Sequence, residues 1–153
     1  MNPKPVSDSR TEMAQLMMPN DANNAGFVHG GVILSMADKV AAVCATRHSR
    51  SFCVTVSVDH VVFKEPIRVG ELVQFKSSVN FVGTTSMEIG IRIMAEDLLT
   101  GKQRHTNSCY ITMVAVDKNG KKQKVSPLTL ETADDHRRTQ AAQNRRNLRL
   151  QYP

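Results

Sequence analysis

Two small residues and one acid, Gly30-Gly31 and Asp38, are the best placed in this 153-residue chain to do chemistry together. The two glycines open an apolar-periodic run, and glycine at a helix start lets another backbone or a ligand come close. First-turn amides have no helical acceptor and point outward at the positive end of the helix dipole. Such donors can stabilise a developing oxyanion, although a plain helix start also explains the pair. Asp38 is excluded from the apolar face, and its neighbours Ser35, Ala42 and Ala45 are small. It reads either as a solvated charge or surface ion pair, or as a carboxylate base or nucleophile in a crevice. Asn23 and Asn24 precede the helix, where turn and capping roles account for them. His29 helps the helix start, and a catalytic role would need a partner that the sequence does not identify.

Other chemistries lack their signatures. There is no Gly-x-Ser-x-Gly, phosphate-binding loop or Gly-x-Gly-x-x-Gly pattern. The five histidines are scattered, without metal-ligand spacing. Cys44, Cys53 and Cys109 form no Cys-x-x-Cys pair, so they read as free thiols in a reduced compartment. No apolar leader follows the N-terminus, and no apolar stretch approaches the roughly 18 residues a membrane span needs. A soluble, cytoplasmic protein is expected.

The elements that must position these residues follow from periodicity. Residues 9–18 read as a first strand stopped by Pro19, and 20–29 as a polar loop with room for a helical turn. From Gly30 to about His48, Ile33, Met36, Ala37, Val40 and Cys44 recur at helical spacing. Strands are expected over 52–63, 72–82, 86–95 and 103–116, separated by turns rich in Gly, Pro and Thr. Four strands in succession predict an antiparallel meander. With the first strand they make a five-stranded sheet wrapped around one helix, an α+β architecture whose uncovered edges favour oligomers. We divide the chain into an arm (1–8), a domain (9–118) and a tail (119–153), helical from about 128. Residues 1–117 hold 11 basic and 11 acidic residues, whereas 118–153 hold 9 basic and 3 acidic, so all of the +6 net charge lies in the tail. That tail lacks a strong apolar stripe, and the aromatics needed to stack bases are missing except for Tyr152, so nucleic-acid binding is poorly supported.

Several segments in consistent order over residues 10–127 resemble the acyl-CoA thioesterase branch of the hotdog superfamily. They are Met18–Asn23, Gly26–Leu34, Met36-Ala37-Asp38, Thr46-Arg47-His48, Ser57-Val58-Asp59, Val62-Phe63-Lys64, Val69-Gly70-Glu71, Leu98–Gly101 and Val114–Asp117. The resemblance implies a hotdog fold and hydrolysis of acyl-CoA to CoA and a carboxylic acid. It implies that Asp38 is the catalytic aspartate, as general base or nucleophile, and that Asn23 meets the aspartate of a second subunit. The amides of Gly31 and Gly30 would hold the thioester carbonyl. It further implies a homodimer, assembling as a trimer of dimers, with CoA as part of the substrate and no metal or other cofactor. Lys64, Arg68, Thr84, Thr85 and Ser86 are the expected CoA contacts, with ordinary turn chemistry as the alternative. A non-catalytic acyl-CoA-sensing module is the competing function; it would have no need of Asp38.

Overall fold

The apolar period at 30–48 folds as α1, Gly30–Ser49, in the computed structural model, which describes residues 1–153. The helix stops at Arg50, whose φ of 57° puts it in the left-handed region and whose amide donates to the Thr46 carbonyl. Its buried face is Ile33, Met36, Ala37, Val40, Ala41, Cys44, Ala45 and His48. Small residues at 37, 41 and 45 let the sheet come close to the helix axis. Burial pushes the thiols of Cys44 and Cys109 up to about 11, so both are packed, unreactive core groups.

Around α1 wraps a five-stranded sheet of β2 (Thr11–Leu16), β3 (Phe52–Val58), β4 (Leu72–Val82), β5 (Ser86–Glu96) and β6 (Gln103–Val116). All four pairings are antiparallel, and the spatial order is β2-β4-β5-β6-β3. The α+β hotdog architecture expected from the sequence is therefore the one observed. Alternation fills its concave face with Val73, Phe75, Val79, Met87, Ile89, Ile91, Ile93, Cys109, Ile111, Met113 and Ala115, which join the helix in one core cluster. Each fully buried Val, Ile, Met or Phe among them contributes about 1.5–3 kcal/mol through removal from water.

Two expectations are corrected. The meander runs through three strands, not four: β3 does not pair with β4 but crosses to the far edge beside β6. The reason is the length of the connection. β3 ends at Val58, not at residue 63, and residues 59–71 form an irregular segment too long for a hairpin.

The termini close on each other. Lys4–Pro5 (β1) pairs in parallel with Leu128–Thr129 (β7). The second helix, α2 (Ala133–Gln151), starts in a capping box of Thr132 and Asp135. It then crosses the outer face of the sheet, buries only Ala142 among its apolar residues, and is held by polar contacts. The Thr139 hydroxyl donates to the Asn80 carbonyl at 2.7 Å, and Arg145 makes two bonds to Glu88, which is 2% exposed. No helix is long and apolar enough to cross a membrane.

Candidate active site

Two turns into α1, the Asp38 carboxylate is half-buried on the flank beside the apolar face. Its Oδ1 accepts a hydrogen bond at 2.5 Å from the Thr55 hydroxyl, which stands on the inward side of β3. The same hydroxyl lies 3.3 Å from the Met113 sulfur on β6. A β-bulge follows at once: Thr55 pairs with Met113 and Ser57 with Thr112, leaving Val56 without a partner. The bulge re-aims the strand at the residue that touches Asp38. One carboxylate oxygen is thus fixed by Thr55 and the other is left for a ligand or water. Sequence reading missed Thr55. It is one of several β-formers in a valine-rich strand, and only the packing of β3 on α1 singles it out.

At the helix start, the amides of Gly30 and Gly31 find no backbone acceptor in the chain; the first bonds of the helix run from Val32 and Ile33 to the His29 carbonyl. The two glycines differ in what surrounds them. A Cβ on Gly30 would lie 3.1 Å from the Phe63 ring, so this glycine admits a neighbouring side chain. A Cβ on Gly31 would meet nothing within 4 Å. No contact inside the chain requires glycine at 31, which is exposed. His29 sits at the N-cap without a side-chain capping bond.

Asn23 organises the loop before the helix. Its Oδ1 accepts from the amides of Ala25 (2.9 Å) and Phe27 (3.1 Å), and its own amide donates to the Phe27 carbonyl. Gly26, at φ 85°, completes the tight turn. Because two backbone N–H groups fix Oδ1 as the acceptor, the Asn23 side-chain nitrogen is the end left to donate elsewhere. The loop is tied to the 59–71 segment by the Val28 amide on the Ile67 carbonyl and by a bridge between Phe27 and Arg68. Within one chain no hydrogen bond joins Asn23 to Asp38; each has other partners.

The expected CoA contacts fall in two places. Lys64 and Arg68 are exposed near the helix start, just before β4. Thr84, Thr85 and Ser86 make the β4–β5 turn at the opposite end of those strands, where the carbonyls of Thr84 and Thr85 accept from Val125 and Ala115. One chain does not bring the two groups together. Near Lys64 and Arg68, Arg104 grips Glu71 through both oxygens, Glu65 at 2.9 Å and the Pro66 carbonyl at 2.7 Å. Those hydrogen bonds hold the Glu71 carboxyl below the usual carboxylate range. At the far end of α1, Arg47 and His48 do more than suit the helix dipole. Arg47 donates to the Arg10 carbonyl at 2.8 Å, and the fully buried His48 ring bonds the Ser126 carbonyl at 2.8 Å. No group of His, Cys, Asp and Glu is arranged to hold a metal ion.

Residues 25–102 match the Thioesterase superfamily. The chain is 46% identical over 137 residues to Protein VdlD of Helicobacter pylori, covering 90% of this chain and 78% of that one. It is 35% identical to the uncharacterized acyl-CoA thioester hydrolase YkhA of Bacillus subtilis, covering 84% and 74%. Among solved structures, an apo-hexameric acyl-CoA thioesterase superposes with a TM-score of 0.94 at 36% identity, over 99% of this chain and 97% of the other. An acyl-CoA hydrolase of Staphylococcus aureus, in complex with butyryl-CoA and CoA, does so at 0.88 and 30% identity, over 95% and 89%. Further structures of that hydrolase carry an aspartate, an asparagine or a threonine replaced by alanine. Along its chain that aspartate follows the asparagine by 15 residues and precedes the threonine by 17, the same spacings that separate Asn23, Asp38 and Thr55 here. The chain belongs to the thioesterase superfamily, with hotdog-fold acyl-CoA thioesterases as its structural neighbours.

Proposed function

We propose that this protein is a cytoplasmic acyl-CoA thioester hydrolase whose active site is shared between two copies of the chain. The observation that carries the reading is the carboxylate of Asp38. It is half-buried on the central helix, held at one oxygen by Thr55, and on the same helix as two acceptor-free amides. The spacing of Asn23, Asp38 and Thr55 in the staphylococcal hydrolase supports the same three residues.

In the proposed reaction the thioester carbonyl oxygen lies against the Gly31 amide, with Gly30 beside it. Asp38 takes a proton from water, which attacks the carbonyl carbon; direct attack by the carboxylate is the alternative first step. The negative charge that develops on oxygen is met by the helix amides, which need no reorganisation to receive it. Collapse expels CoA as thiolate, a leaving group whose conjugate acid has a pKa of about 8.5, so no strong acid is required. The products are CoA and a free carboxylic acid. The free nitrogen of Asn23 donates to the carbonyl or orients the water.

Seven residues of helix separate Gly31 from Asp38, about 10 Å of axis. Asn23 and Asp38 share no hydrogen bond within one chain, and in this reading each site takes Asp38 and Thr55 from one chain, and Asn23 with the glycine amides from the other. β3 is the natural seam. It is an edge strand with Phe52, Val54, Val56 and Val58 exposed, and antiparallel pairing of two such edges satisfies both. The same pairing turns the 83–86 turn of one chain toward the end where the other carries Lys64 and Arg68, so the two groups of CoA contacts become parts of one surface. The apo-hexameric thioesterase neighbour fits a trimer of such dimers.

The test is release of free thiol from acyl-CoAs of acetyl to palmitoyl length, followed with a thiol reagent, for the unaltered protein and for Asp38→Asn. We expect turnover by the first and a loss of about 10²-fold or more in the second. Tight binding of acyl-CoA without thiol release would instead identify a sensor.

A further inference from the structure

We propose that Arg149, on α2, is a positioning residue for the hydrolytic site. On this view α2 is a strap that pins the end of β3 and the segment after it. The inference rests on the hydrolase reading above and adds a residue and an element that the reading does not use.

Within one chain β3 has a ladder only to β6, its other edge being the proposed seam with a second copy, and it carries Thr55, the partner of Asp38. The bulge at Val56 weakens that ladder where Thr55 must be held. Beyond Val58 the chain continues as the 59–71 segment, which passes the start of α1 and lays Phe63 against Gly30. Placement of both the carboxylate's partner and the residue beside the amides thus depends on how β3 and this segment are anchored.

The segment has an arginine at each end. At its far end Arg104 holds Glu65, Pro66 and Glu71. At its near end Arg149 donates to Asp59 Oδ2 at 2.5 Å, while the Asp59 amide donates to the Tyr110 carbonyl at 2.9 Å. Arg149 comes from α2, whose contacts run in order across the sheet. Thr139 bonds β4 at Asn80, Arg145 bonds Glu88 on β5 and stacks 3.6 Å from the Tyr110 ring on β6, and Arg149 reaches Asp59 past the end of β3. Arg149 also lies 3.7 Å from Glu88, so both arginines converge on one buried carboxylate.

The strength of the strap lies in these ion pairs, since Ala142 is the only apolar α2 residue that is buried. The Asp59 side chain is 16% exposed and Glu88 is 2% exposed. Loss of Arg149 would leave the largely buried Asp59 carboxylate without its partner. The Arg149 guanidinium fixes the Asp59 carboxylate, one residue past the end of β3.

The test uses the full-length protein, with Arg149→Met, Arg149→Lys, Asp59→Asn and the Arg149→Met/Asp59→Asn double variant. All are assayed well below their melting temperatures, with folding checked by circular dichroism. Amide hydrogen exchange over residues 54–63 is read in the same samples. For Arg149→Met we expect faster exchange at 54–63 and a fall in kcat of about tenfold with KM little changed, since sub-ångström misplacement acts on the transition state. Arg149→Lys should recover part of the loss. The double variant should be no worse than the worse single variant, because both substitutions break one link. Unchanged exchange overturns the proposal, and so does faster exchange with kcat within twofold of the unaltered protein. If the unaltered protein releases no thiol from any acyl-CoA, the hydrolase reading fails separately, and exchange alone decides whether α2 pins β3.

Discussion

Asp38→Asn and Asn23→Ala subunits, each disabled alone, are expected to regain activity when they are mixed. In the arrangement proposed here, Asn23 and Asp38 of one chain serve different sites. A mixed dimer then has one site with both residues intact and one with neither. Random reassociation makes about half of all dimers mixed, and half the sites in each are whole, so about a quarter of the unaltered activity should return. Each variant alone should retain about a hundredth or less, which makes the recovery some 25-fold above either parent. The structural basis is twofold. Asn23 and Asp38 share no hydrogen bond within a chain, and their partners, the 25–27 turn and Thr55, lie on different elements. The assay is thiol release at fixed total subunit concentration, before and after exchange. Co-expression with two affinity tags isolates the mixed dimer, which should show about half of the unaltered rate. Activity equal to the average of the two parents, in a dimer proven mixed, would refute a site divided between chains.

Gly31→Ala separates folding from chemistry. The new methyl meets nothing within 4 Å, and alanine is the better helix former by about 1 kcal/mol, so the melting temperature should hold or rise. Yet kcat/KM should fall severalfold or more, because the methyl stands where a thioester must reach the amide; full activity would remove Gly31 from the site. Thr55→Val keeps the shape of the strand residue but removes the hydroxyl that fixes Asp38. It should lower kcat about tenfold with KM less affected, and steady-state kinetics equal to the unaltered protein would show that the bond is not used. His48 is fully buried, its Nε2 bonded to the Ser126 carbonyl and its Nδ1 without a partner. Desolvation holds the ring below the ordinary imidazole value of about 6.5, so as pH falls through that value the unfolded chain takes up the proton first. Stability should therefore be greatest above pH of about 6.5 and decline below it, and His48→Gln should flatten that part of the profile. Denaturant unfolding at stepped pH reads both, and an unchanged slope in the variant would exclude His48 as the source.

The local pattern was enough to place α1 and the long strands. Ile33, Met36, Ala37, Val40 and Cys44 repeat at helical spacing, and Met87, Ile89, Ile91 and Ile93 alternate, because side-chain direction along a helix or strand depends on near neighbours alone. Gly30-Gly31 and Asp38 were legible for the same reason: an acid outside an apolar face and glycines at a helix start are one-dimensional signals. The crossing of β3 to the far edge was not legible, since valine-rich strands carry no mark of which neighbour they pair with. Thr55 was hidden by that same indifference, becoming distinctive only when β3 lies against α1. The tail gave least of all: its sequence shows a basic, helix-competent run without an apolar stripe, and only the fold puts Glu88 and Asp59 under its arginines. Composition and spacing thus determined which residues could do chemistry and the elements that bear them. The tertiary structure decided which of those residues meet, because contacts across the sheet join positions as distant as Asp59 and Arg149, and no local period encodes that pairing.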